Sequence, residues 1–202
     1  MLSICVEIAV ADSSPASFAA LLAGWTANGI GTFRSGEPFT ARANGNISLN
    51  GDRWFPDRPN LNPGFSNDPT SGSTLGCTLN GSKILPGPLG PPPHLWYDPC
   101  AFSVPAPGTY GNVGRETLTG PGFDDVDASL AKMFKPSERI NVQLRAEVFN
   151  LLGHANFWVP GYNVFSGTVS AKPKYSGSAG TMSKLVQTPG GRLIQLGLKV
   201  IF

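Results

Sequence analysis

Asp124, Asp125 and Asp127 are the densest group of hard oxygen ligands in the chain, and a group of that kind could hold calcium. The spacing lacks the roughly twelve-residue loop and closing Glu of an EF-hand. His94 and His154 are the only histidines, and neither has a Cys or carboxylate at metal-ligand spacing. No metal site is expected. Ser176-Gly177-Ser178-Ala179-Gly180 fails the G-x-S-x-G nucleophile elbow, because position 176 is Ser and no strand-to-helix context surrounds it. Gly111 to Gly114 runs on into Arg115, not into the Lys-Ser/Thr of a phosphate loop. The chain therefore reads as a non-enzyme without a cofactor. Cys77 and Cys100 lie in one long loop, where a disulfide would be worth about 3 kcal/mol against loop entropy; the other reading is two unpaired thiols. Asn46-Ile47-Ser48 and Asn80-Gly81-Ser82 match the glycosylation triplet at a frequency that chance explains. Leu85 to Pro93 is a stiff, polyproline-like loop. The net charge of +2 points to no partner, and no nucleic acid is expected.

The elements behind these residues are strands. Ile194, Leu196, Leu198, Val200 and Phe202 alternate with Gln195, Gly197 and Lys199, a period of two with one apolar face. Ile140, Val142, Leu144, Ala146 and Val148 alternate likewise with Asn141, Gln143, Arg145 and Glu147. Before the turn at Lys135-Pro136-Ser137-Glu138-Arg139, Val126, Ala128, Leu130 and Phe134 share one parity. Setting Phe134 opposite Ile140 places Leu130 against Leu144 and Val126 against Val148. Setting Phe202 opposite Ile140 pairs 200 with 142, 198 with 144 and 196 with 146. Asp127 then falls diagonal to Arg145, on the same face as Glu147, as a charge pair, and Gly197 faces Arg145 and leaves it room.

The apolar face could meet lipid or a core. Ten residues at about 3.3 Å each, tilted by about 45°, cover about 23 Å, close to the apolar band of a transmembrane barrel. The opposite face suits a wet lumen. Lys132, a charge of apolar parity, is expected near the turn, where it can snorkel. The tight 135–139 turn contrasts with long Gly- and Pro-rich connections at 41–120 and 151–191, expected to have little regular structure. With 25 Gly, 19 Pro and 14% charged residues, much of the chain is loop. Four membrane strands are expected, at 25–40, 123–134, 140–149 and 192–202. Even small barrels need about eight, so the chain reads as part of a larger wall. Residues 1–21 are expected to be a non-barrel or truncated N-terminal segment, because Glu7 interrupts the apolar start and no positive n-region precedes it.

A series of motifs carries a resemblance: Gly24-Trp25 with Phe33-Arg34-Ser35-Gly36-Glu37-Pro38-Phe39-Thr40, then Asp57-Arg58-Pro59-Asn60, Trp96-Tyr97-Asp98-Pro99-Cys100-Ala101-Phe102, Gly111-Asn112-Val113-Gly114-Arg115, Gly120-Pro121-Gly122-Phe123 and Arg145-Ala146-Glu147-Val148-Phe149-Asn150-Leu151-Leu152-Gly153-His154. In this order they resemble the C-terminal end of the TonB-dependent receptor superfamily, specifically its Oar-like outer-membrane barrels, over residues 22–202. The resemblance implies an all-β fold, a partial antiparallel transmembrane β-barrel with long extracellular loops, in the cell outer membrane. It implies an unread ligand, lipid as a partner, and contact with the TonB complex only through N-terminal regions not seen here. Gly197, Val200 and Phe202 resemble the terminal signal that such proteins present to the barrel-assembly machinery. The alternative from another class is a secreted β-sandwich binding module, an adhesin or carbohydrate-binding domain, with its apolar faces buried.

Overall fold

The computed structural model describes residues 2–9, 23–52, 56–167, 173–186 and 190–202. The chain divides into two compact units, Met1–Ser35 with Gly122–Asn156 and Leu185–Phe202, and Gly36–Pro121 with Phe157–Lys184.

The first unit is one antiparallel sheet of five strands: β1 (Leu2–Ala9), β2 (Trp25–Arg34), β3 (Phe123–Ser137), β4 (Ile140–Phe149) and β5 (Leu193–Ile201). They lie in chain order, each beside the next, with β1 and β5 at the edges. β1 departs from the expectation for residues 1–21 over its described part: Leu2 to Ala9 pair along β2, with Val6 opposite Gly29 and Glu7 opposite Asn28, while residues 10–21 lie outside the described residues. Glu7 breaks an apolar run but fits a period of two, because its parity is that of the polar neighbours Asn28 and Ser129. The expected strand 25–40 stops at Arg34, and Pro38–Phe39 forms a separate short strand in the second unit.

The β3–β4 hairpin differs from expectation by two residues. Phe134 faces Val142, Leu130 faces Ala146 and Ala128 faces Val148, and the register is broken between Phe134 and Ser137. Pro136 lies in that irregular stretch, where a residue without an N–H costs no ladder bond. β3 continues to Ser137, so the turn shrinks to Glu138 and Arg139. A slip of two preserves side-chain parity, so the faces stay as the alternation assigns them. The β4–β5 register is the expected one: Val142 faces Val200, Leu144 faces Leu198, Ala146 faces Leu196 and Arg145 faces Gly197.

One face of the sheet is therefore apolar across β2 to β5. Leu144, Leu196 and Leu198 on it are exposed by 47%, 78% and 66%, values no water-soluble core would leave. The strand directions put Arg34, Phe123, Phe149 and Leu193 at one end of the sheet and the two-residue turn at the other.

The second unit has the little regular structure expected of 41–120 and 151–191, but it is compact. Its strands are two to four residues long, yet they enclose a core of Phe39, Ile47, Tyr97, Phe102, Val113, Leu118, Val164 and Phe165. Tyr97 stacks edge-on to Phe102 with ring centroids 5.9 Å apart. Pro99–Ala101 is a single 3-10 turn whose N-cap, Asp98, accepts from the Cys100 N–H. Glycine lets these aperiodic segments approach closely: a Cβ on Gly161 would lie 1.9 Å from the Ser178 carbonyl oxygen.

Candidate functional site

The face opposite the apolar one carries the polar chemistry. Asn28 and Thr32 of β2, Asp125, Asp127 and Ser129 of β3, Gln143, Arg145 and Glu147 of β4, and Gln195 and Lys199 of β5 share its parity. A cavity of about 300 Å³ opens on it, lined by Asn28, Asp127, Ser129, Arg145, Glu147 and Phe149 among others. Arg145 and Glu147, two residues apart on β4, form an ion pair at 2.9 Å. With side chains 52% and 22% exposed, the pair adds about 0–1 kcal/mol. Its value is a fixed dipole on a wet surface.

Asp127 does not complete this pair as expected. The two-residue slip moves it away from Arg145, which faces Ala131, and its Oδ1 accepts from the Asn150 N–H at 2.9 Å. Lys132 is also displaced: it faces Leu144 and Trp25, well inside the strand, and its ammonium lies 4.9 Å from the centre of the Trp25 ring. A cation over an indole is attracted by the negative face of the ring, which offsets part of the cost of that position. Gly197 faces Arg145, but a Cβ would meet Arg145 Cβ at 3.8 Å, an ordinary contact. The room expected to require glycine at 197 is thus available to alanine. Val200 packs opposite Val142, and Phe202 is 99% exposed.

Two asparagines invisible to periodicity close the end of the sheet. Asn150 follows β4 at φ 49, a left-handed conformation that Asn tolerates. It is 4% exposed, its Oδ1 accepts from the His154 N–H at 3.1 Å, and its Nδ2 donates to the His154 carbonyl at 2.9 Å. Asn156 holds Asp124 from both sides, accepting from its N–H and donating to its carbonyl, each at 2.9 Å. His154 Nδ1 lies 3.1 Å from Asn156 Oδ1, so this histidine serves the clamp. Asn150→Ala leaves these groups unpaired and strains a left-handed residue, at a cost of about 1–3 kcal/mol. Amide exchange at His154 should accelerate at least tenfold, and unchanged protection would contradict the role.

In the second unit Cys77 and Cys100 are joined by a disulfide with Cα atoms 5.9 Å apart. Thiol counting under oxidising, denaturing conditions should find one free cysteine of three, and Cys100→Ser should lower the unit's stability by about 3 kcal/mol. Three free thiols would contradict the bridge. His94 lines a cavity of about 350 Å³ with Lys83 and Tyr175. Burial pushes the Tyr97 and Tyr175 phenols above their usual range, and Tyr97 donates to the Gly161 carbonyl at 2.8 Å. Both stay neutral and structural. Among the described residues no three His, Cys, Asp or Glu gather as a metal cluster, and no helix is long and apolar enough to cross a membrane, which says nothing of strands.

A family model described as an outer membrane beta barrel domain matches residues 8–195. No curated protein and no solved structure matches the chain.

Proposed function

From the premise that this chain belongs to the outer membrane beta barrel domain family and resides in the outer membrane, we propose that it is the C-terminal part of an Oar-like TonB-dependent receptor. On this reading it supplies the last wall strands and the assembly signal of a transporter for a large ligand. The observation that carries the proposal is the sheet itself: five strands in simple up-and-down order, β2 to β5 apolar on one face and polar on the other, with β1 and β5 at its edges among the described residues. Hydrocarbon tolerates no free strand edge, so a wall of this kind needs continuation on each side; a transporter barrel has roughly 22 strands. The two long insertions leave the sheet at the end opposite its two-residue turn, the asymmetry of outer-membrane barrels, whose long loops face outward. The order of motifs from Gly24-Trp25 to Gly153-His154 adds the resemblance to the TonB-dependent class.

On this reading the compact unit built from 36–121 and 157–184 grips ligand outside the cell, and Arg145, Glu147 and Asp127 face the lumen. The TonB complex acts through N-terminal regions of the parent receptor. The test is made on the full-length parent in cells. Membranes washed with alkaline carbonate should retain it, protease added to intact cells should cut the part of it formed by this chain only within 36–121 or 157–184, and TonB should cross-link to it. Release by carbonate would favour a secreted binding module. Retention without TonB cross-linking would leave an outer-membrane barrel of another class.

A further inference from the structure

In the second unit a cavity of about 350 Å³ is walled by Thr74, Lys83, Leu85, His94, Leu95 and Tyr175 among others. Separate ties fix these walls. Lys83 sits on a hairpin, Cys77–Leu79 with Ser82–Ile84, closed by the two-residue turn Asn80-Gly81 at φ 47 and 89. The disulfide to Cys100 holds the foot of that hairpin, and the Asn80 amide donates to the Pro173 carbonyl, two residues before Tyr175. Thr74 is 3% exposed and pairs with Gly87 across a second short ladder. The Leu95 carbonyl accepts from the Gly90 N–H at 2.8 Å, and Trp96 beside it donates to the Gly180 carbonyl at 2.8 Å. The Tyr175 hydroxyl donates to the Ala179 carbonyl at 3.4 Å, so this donor is already used. The charge of the lining is one-sided. Lys83 and His94, both exposed, bring an ammonium and an imidazole, and no Asp or Glu lines the cavity. The stretches of this unit outside the described residues, 53–55 and 168–172, contain no Asp or Glu either. Ile84, Leu85 and Leu95 supply apolar surface, with Leu85 67% exposed.

We infer that this cavity binds a small organic anion with an apolar body, of the aryl- or alkyl-carboxylate class, with Lys83 as the partner of its anionic group. An ammonium on a wall that carries no carboxylate attracts anions and repels cations. Lysine suits a carboxylate because its three donors rotate and demand no fixed fork geometry. An exposed ion pair is worth little alone, so the rest of the affinity comes from the body, which covers Leu85, Leu95 and the Tyr175 ring. Both halves of the ligand are therefore needed. The volume lies at the lower end of the range for small-molecule sites, about 300–1,000 Å³, and admits a single ring or a short chain. Walls tied at several points lose little freedom on binding. The Asn80-Gly81-Ser82 triplet, a chance glycosylation match in sequence terms, is thus the turn that sets Lys83 in place. The inference deepens the reading of this unit as the part that grips ligand, and rests on that reading for its position outside the cell.

The test uses the full chain refolded in non-ionic detergent micelles, with a count of one free cysteine as the sign that this unit has formed. Phenylacetate is titrated by calorimetry against a micelle-only blank. One saturable site is expected, with Kd on the order of 10⁻⁴–10⁻³ M, which about ten heavy atoms support. Phenylacetamide keeps the body and loses the charge, and should bind about fivefold more weakly. Acetate keeps the charge and loses the body, and should bind about tenfold more weakly or worse. Lys83→Glu should weaken phenylacetate binding about tenfold, while Lys83→Arg stays within about twofold of the wild type. Lys83 is exposed, so both variants should unfold at the wild-type temperature. Absence of saturable binding of phenylacetate to the wild type would overturn the proposal. So would equal affinity for phenylacetamide, or unchanged affinity in Lys83→Glu, which would place the ligand elsewhere. The titration involves neither cells nor TonB: binding without TonB cross-linking keeps this site and removes the receptor reading, and cross-linking without binding does the reverse.

Discussion

Leu144→Arg should strip the parent protein of stable membrane insertion, while Gln143→Arg, one residue away, should leave it intact. Leu144 sits at the middle of β4, faces Leu198 across the ladder and is 47% exposed. Gln143 faces Lys199 and Met133 on the other side of the same strand. An arginine at the bilayer midplane costs about 2–4 kcal/mol on the lipid face, and side chains facing the lumen escape that cost. Marginal stabilities make the difference visible as loss of the folded form. Heat-modifiable mobility and urea unfolding of outer-membrane fractions give the readout. Equal behaviour of the two variants would show that the sheet does not meet lipid on its even-numbered face in β4.

Deleting Phe202 should block assembly of the parent protein into the outer membrane, whereas Ile201→Ser should assemble. Phe202 follows β5 with the parity of Val200 and Leu198, at the same end of the sheet as the two-residue turn, where an aromatic belongs to the girdle at the membrane boundary. It is 99% exposed, so its loss removes no packing within the chain. Any effect must therefore come from lipid or from the assembly machinery that the resemblance assigns to this terminus. Ile201 faces Asn141 on the polar side, where a hydroxyl replaces little apolar contact. The same mobility assay on both variants decides the matter, and normal folding of the Phe202 deletion would remove this residue from the signal.

Period two made the two faces legible in the sequence, because parity survives any even slip in register. It also set the β4–β5 ladder correctly, since both strands are regular and no bulge lies between Asn141 and Phe149. The β3–β4 hairpin resisted the same reasoning because alternation cannot tell a register from its neighbour two residues on. The irregularity around Pro136 selects between them, and that displaced Asp127 from Arg145. β1 was hidden for a different reason: Glu7 reads as an interruption when an apolar run is sought and as a proper polar position when pairs are sought. The core of the second unit has no period at all. Tyr97, Phe102, Val113 and Phe165 come together through tight glycine and proline segments, so the same composition that marks a loop also builds a compact body. The asparagine clamp depends on the contact of Asn156 with Asp124, 32 residues away, which local pattern does not encode.

The second unit is stitched from two stretches with the whole β3–β4 hairpin between them in the chain. A polypeptide threaded across the inner membrane from its N-terminus delivers residues 36–121 to the periplasm while Val164 and Phe165 are still behind. Until then Tyr97 and Phe102 have part of their core missing. The Cys77–Cys100 link lies wholly inside the first stretch, so periplasmic oxidation can lock it before its complement arrives. An intermediate at that stage can be oxidised while half-built, with Tyr97 and Phe102 short of the core that Val164 and Phe165 complete. Its maturation waits on the arrival of residues 157–184, which ties completion of this unit to passage of the wall strands that separate its halves.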